Sequence, residues 1–142
     1  MGPGQAETEA VIVYWRTEAE EALQVASHLM EKGDYSYALF FGHLAIEKFL
    51  KATYVARRGE QAPPIHNLVR LAAAAGLPLT PAQSDALATI SAFHVEARYP
   101  DVKRSFRRKC TPEFTTQELT RITEYATWLR SLLPSPRVSA DS

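Results

Sequence analysis

The sequence predicts an all-α protein: an up-and-down antiparallel bundle of four long helices and one short helix. Three observations carry that prediction. Apolar residues recur at three- and four-residue spacing through most of the chain, which is the period of an α-helix. Gly and Pro cluster between those segments and punctuate them. The segment Phe41–Ala52 would be apolar on two faces of a helix, which places it in the interior of a bundle. Val11-Ile12-Val13 is the only β-like run, and it is short.

The first helix follows from Trp15, Ala19, Ala22, Leu23, Ala26, Leu29 and Met30, which share one face. It should end at Lys32-Gly33, a basic residue followed by a glycine able to take the left-handed cap conformation. Asp34 is placed to cap the central helix, which should run to Arg58 and stop at Gly59. At about 100° per residue, Tyr37, Phe41, Leu44, Ala45, Ala52 and Val55 form one stripe of that helix. Leu39, Ile46 and Leu50 form a second, with His43, Glu47 and Lys51 on a narrow polar strip between them. A helix with two apolar faces must be central or must meet a partner, and a homodimer formed through this helix is the expectation.

Pro63-Pro64 makes the next connection a stiff loop. A short helix is predicted over 67–75, closed by Gly76-Leu77-Pro78. Thr80-Pro81-Ala82-Gln83 is a capping box with proline at the first helical position. Leu87, Ile90, Phe93 and Ala97 continue that helix until Pro100. Residues 101–115 read as an irregular loop. Thr115 and Glu118 read as a second capping box, opening a last helix through Leu119, Ile122, Ala126, Leu129 and Leu133. The domain organisation expected is an unstructured start over 1–8, a helical domain over 9–133, and an unstructured tail over 134–142.

The 142-residue length suits one domain with its own core. Formal net charge is zero, so bulk electrostatics points to neither nucleic acid nor membrane. That zero hides a separation of sign. Residues 1–34 hold six Glu and one Asp against Arg16 and Lys32, a local net of −5, whereas residues 103–109 hold five cations. The N-terminal run lacks a basic start and an apolar core, so a signal peptide is not expected. Leu71 to Leu79 is too short to span a bilayer. The single cysteine, Cys110, excludes an intramolecular disulfide, and the default location is cytoplasmic.

Trp15, the Ala45-Ile46-Glu47-Lys48-Phe49-Leu50-Lys51-Ala52 core, Pro64-Ile65-His66-Asn67-Leu68 and Arg98-Tyr99-Pro100-Asp101 occur in this order. Together they resemble HEPN domains (higher eukaryote and prokaryote nucleotide-binding) over residues 10–133. The resemblance implies a five-helix up-and-down bundle that is commonly a homodimer. It also implies a small nucleotidyltransferase as possible partner, in toxin–antitoxin or defence pairs. Many HEPN proteins are RNases that use an Arg-x4–6-His motif at a dimer cleft. None of His28, His43, His66 and His94 follows an arginine at that spacing; Arg58 and His66 come nearest, with seven residues between them. A non-catalytic protein that binds a nucleotide or RNA is therefore expected. The alternative is a metal-independent RNase with His66 as acid or base and Arg98 or Arg58 stabilising charge on the scissile phosphate.

The ligand-binding candidates are Glu47, Lys48, Lys51, His66, Arg98 and Tyr99. Lys48 falls inside the main apolar stripe. It either lays its stem on apolar surface or is a partly buried cation holding a carboxylate or phosphate. Glu47 and Lys51 form either a solvated ladder or the lining of a cleft between protomers. His66 stands at a helix start, where it or Asn67 caps the helix, or where it meets an anion. Arg98 either pairs with Asp101 to lock a turn or, beside Tyr99, reads a phosphate or base. Lys103, Arg104, Arg107, Arg108 and Lys109, with Phe106 stacking on a base, form a candidate nucleic-acid contact; the alternative is a solvated loop docking on an acidic neighbour. Cys110 is either a thiol activated by these cations or a plain one. No cofactor and no metal site are expected.

Overall fold

The computed structural model describes residues 4–135, which form six helices and no strands. They are α1 (Gln5–Glu31), α2 (Tyr35–Arg58), α3 (Leu68–Ala74), α4 (Pro81–Glu96), α5 (Pro100–Lys109) and α6 (Pro112–Ser131). Side-chain pairings give their directions. Lys48 and Lys51 of α2 meet Glu18 and Trp15 of α1, so the two run antiparallel. Gly42 and Phe49 of α2 meet Ile122 and Arg130 of α6, so those two run the same way. His43 touches His94 at the end of α4, while Arg57 and Arg58 hold the turn that precedes α4. α4 therefore runs opposite to α2. This is the expected up-and-down bundle. Among the described residues, no helix is long and apolar enough to cross a membrane.

α2 is the axis. Fourteen of its residues are buried, and α1, α3, α4 and α6 all pack on it. Leu39, Ile46 and Leu50 are fully buried within this one chain, in the same core as Phe49, Leu87, Ile90, Phe93, Ile122 and Leu129. The expectation that this second stripe faces another subunit is therefore wrong. A helix ringed by four others needs apolar side chains all round, and its own domain uses them up.

Glycine sets the closest approach. A methyl group at Gly42 would come within 2.7 Å of Ile122 Cδ1 and 3.4 Å of its Cγ2, so the missing side chain is what lets α6 seat against α2. Gly59 ends α2 in the left-handed conformation at φ 67°, as the sequence suggests.

Several boundaries differ from expectation. α1 begins at Gln5, so residues 5–8 are helical rather than irregular. Asp34 occupies the N-cap position of α2, but its side chain makes no capping bond; its carbonyl accepts from Ala38 N–H instead. The predicted loop over 101–115 is mostly α5. Pro100, read as the stop of one helix, is the first residue of the next, where a missing N–H is harmless. α6 opens one turn earlier than predicted, at Thr111-Pro112, with Thr111 Oγ1 accepting from Phe114 N–H at 3.1 Å. Thr115 and Glu118 are buried inside α6 and form no cap. The Thr80–Gln83 capping box is present with both bonds formed. From residue 136 on, the expected tail lies outside the described residues.

Gly42→Leu should lower stability by about 1–3 kcal/mol through overpacking. Urea unfolding would register this as an earlier midpoint with an unchanged slope.

Candidate functional site

The polar strip of α2 is not solvated. His43, Glu47 and Lys51 are buried on α2, facing Trp15 of α1, His66 of the 59–67 loop and His94 of α4. Glu47 is the hub. Its Oε1 accepts from His66 Nδ1 at 3.1 Å and lies 3.6 Å from His43 Nε2, while its Oε2 is 3.3 Å from Lys51 Nζ. Lys51 in turn sits 5.0 Å from the Trp15 ring centroid, a cation–π contact that closes the site on that side.

Three imidazoles converge on this carboxylate. The His66 and His94 rings stack at 5.3 Å and 10° between planes, and His43 lies 4.9 Å from His94. Phe40 stacks on His94 from α2. Arg98, one turn beyond His94, donates from Nη1 to His94 Nε2 at 2.9 Å. A neutral His94 must then carry its proton on Nδ1, a buried atom with no hydrogen-bond partner in the chain. Neither ring nitrogen of His43 makes a hydrogen bond.

The local sequence explains the placement. His43, Glu47 and Lys51 are spaced four apart and so share one face of α2. Asn67 Oδ1 caps α3 by accepting from Arg70 N–H, which leaves the His66 ring free to reach Glu47. His94 and Arg98 are likewise four apart, at the end of α4.

The electrostatics follow from those neighbours. Burial pushes the Glu47 carboxyl up, but the His43 and His66 imidazoles and the Lys51 ammonium outweigh it and hold the group down at about 2. Burial, then the neighbouring His43, Arg98 and His66, lowers His94, and Glu47 only partly opposes this. Glu47 thus pairs with Lys51 amid three imidazoles, and Arg98 joins the cluster through His94. The cluster has surplus positive character and an exposed edge at His66 and Arg98.

Other predicted site residues are elsewhere. Lys48 pairs with Glu18 of α1 at 3.5 Å, half-buried, and so joins two helices instead of lining the cluster. Arg58 donates to Ala74 O at 3.0 Å and Arg57 to Ala75 O and Gly76 O, so the pair clasps the C-terminus of α3. That removes Arg58 from any role beside His66. Arg98 bonds His94; the Asp101 side chain lies outside the described residues. Tyr99 is 59% exposed, next to Arg98. Phe106 is 2% exposed and packs on Phe93 with centroids 5.6 Å apart, so it cannot stack on a base. The five cations around it lie on α5. Burial pushes the Cys110 thiol up to about 11, which leaves it a plain thiol. Among the described residues, no group of three or more His, Cys, Asp or Glu could hold a metal ion. His43 was placed on the polar strip from sequence, but His94 was not singled out; its four-residue spacing to Arg98 is the signal that could have marked it.

A helical bundle with an internal carboxylate–imidazole cluster opening beside an arginine is the class that fold and site define. Comparison with known proteins narrows it: the HEPN domain model matches residues 12–133, and the chain belongs to that family. Its structure resembles the crystal structure of TT1696 from Thermus thermophilus, with a TM-score of 0.74 over 86% of this chain and 98% of that one. Sequence identity is 23%, so this likeness speaks to the fold alone. No curated protein matches the sequence.

Because the folded Glu47 value lies below the usual 4.5, ionised Glu47 stabilises the fold at neutral pH. That contribution, about 3 kcal/mol, is complete above about pH 5 and lost as pH falls towards 2. Acid titration of urea stability should show the decline in the parent protein. Glu47→Gln should be destabilised at pH 7 and decline less steeply across the same window.

Proposed function

We propose that this HEPN protein binds a nucleotide or RNA through its phosphate at the exposed edge of the Glu47 cluster, with no catalysis of its own. One observation carries the reading: a single carboxylate is outnumbered by Lys51, Arg98 and three imidazoles. That arrangement is poised for an anion. Arg98 supplies a planar guanidinium, His66 an exposed ring whose Nδ1 is already engaged by Glu47, and Tyr99 an exposed aromatic surface.

A second reading has its own support. A carboxylate bonded to His66 Nδ1 orients the ring and leaves Nε2 for proton transfer, the arrangement of an acid–base dyad. On that reading the protein is a metal-independent RNase, with Arg98 stabilising charge on the scissile phosphate. Purified protein incubated with a mixed RNA pool in EDTA separates the two. Saturable binding without cleavage is expected. Arg98→Ala should weaken that binding about tenfold or more, the loss of a charge-assisted hydrogen bond. Cleavage that His66→Ala abolishes, with helical content retained, would move the assignment to the nuclease.

The reading also includes a homodimer, on a surface other than the one the sequence suggested. Ala6, Ala10, Val13 and Thr17 share one face of α1 beside Pro134, lining a groove of about 770 Å³, and Val11, Val13 and Tyr14 are exposed. Sedimentation velocity at micromolar concentration should give a dimer, and Val13→Arg should shift it towards monomer. A small nucleotidyltransferase partner, in a toxin–antitoxin or defence pair, rests on the family alone; co-purification of the two from co-expressing cells would test it.

A further inference from the structure

The α5 helix is held to the bundle by little apolar material. Phe106 packs on Phe93, and Cys110 is buried just beyond the helix end. Its other side chains are mostly charged and exposed. Among the described residues, none of Lys103, Arg104, Arg107, Arg108 and Lys109 forms an ion pair with a carboxylate. Three of them are held by aromatic rings instead. Lys103 Nζ lies 5.1 Å and Arg107 Cζ 5.7 Å from the Tyr37 ring centroid, and Arg107 Nη2 donates to the Tyr37 hydroxyl at 3.3 Å. Lys109 Nζ lies 5.2 Å from the Phe114 centroid. A ring fixes the position of a cation without cancelling its charge. The helix therefore presents ordered positive charge that the fold does not neutralise.

This ridge starts where the Glu47 cluster ends. Arg98 belongs to the cluster, Tyr99 follows, and α5 opens at Pro100. Around the corner, Val95, Tyr99 and Val102 are all exposed, linked by backbone bonds from Tyr99 N–H to Val95 O and from Val102 N–H to Tyr99 O. The order along the surface is cation, bare ring, cations.

We propose that the cluster, Tyr99 and α5 form one continuous track for a single-stranded polynucleotide, so that the ligand is a strand of several nucleotides. The proposal rests on the cluster being a phosphate site and names what that site takes. Phosphates follow Arg98 and the α5 cations, while a base stacks on Tyr99. A duplex hides its bases and has no use for an exposed ring, whereas a single strand gains about 1–3 kcal/mol per stacked base.

The test compares a labelled 12-nucleotide adenylate RNA, its duplex with a complementary strand, and adenosine monophosphate, each against the full chain. The parent should bind the single strand more tightly than the duplex or the mononucleotide. The triple variant Arg104→Gln/Arg108→Gln/Lys109→Gln should reduce the slope of log affinity against log salt by about 2, from about 0.7 per lost phosphate contact. It should leave mononucleotide binding unchanged. Tyr99→Ala should weaken the strand about tenfold with the salt slope retained. Oligonucleotide affinity and slope that ignore the triple variant overturn the track and leave α5 to an acidic polypeptide. Equal binding of duplex and single strand overturns it too, as does no binding of either. If mononucleotide binding is absent or indifferent to Arg98→Ala while strand binding still depends on α5, the cluster reading fails and strand recognition by α5 stands.

Discussion

The burial of one ionised carboxylate organises the polar face of α2 and the elements that close over it. Glu47 sits on the most enclosed helix of the bundle, where an unpaired charge would be costly. Its charge is met from two elements: His43 and Lys51, one turn either side on α2, and His66 from the loop after it. Because His94 stacks on His66 and Arg98 bonds His94, the end of α4 is recruited to the same point. A requirement of electrostatics thereby gathers five ionisable side chains around one acid, and the bundle's packing supplies their positions.

The apolar architecture and the polar cluster are two uses of one helix. Residues of α2 at four-residue spacing give the polar face, and about half of the others are buried in the core. α6 approaches through Gly42, while α1 closes the site with Trp15 over Lys51. The charged residues of α2 at the cluster are thus mostly buried, whereas the basic residues of α5 are mostly exposed. On α5 the basic residues are held by Tyr37 and Phe114, a contrast with Glu47, whose charge is answered by charge.

Most of the fold was legible in the sequence because its signals are local. Helical period, the Thr80–Gln83 box and the glycine at position 59 each depend on neighbours within a turn or two, and they hold. What failed needed knowledge of distant contacts. The apolar excess of α2 looked like an interface because periodicity counts faces without saying how many neighbours cover them. α5 was missed because one buried anchor, Phe106, suffices when a ring on α4 receives it, and a helix with so few apolar residues has almost no period to read. Thr115 and Glu118 matched a capping pattern that Thr111-Pro112 already fulfilled one turn earlier. Glu47, Lys51, His66 and Arg98, singled out from spacing and helix ends, lie together in the cluster. His94 was passed over because its place comes from rings that distant elements of the fold bring together.

The loop that carries His66 is fastened at both ends. Gly59 closes α2 before it, Asn67 caps α3 after it, and the Arg57–Arg58 clasp ties the far end of α3 back to α2. Between these anchors Pro63 and Pro64 restrict the backbone, and Ile65 N–H bonds back to Pro63 O. A segment so tethered has little conformational freedom left to surrender when something docks against it. The imidazole is therefore held in one orientation by the fold itself, and the entropy of aiming it is absorbed in folding.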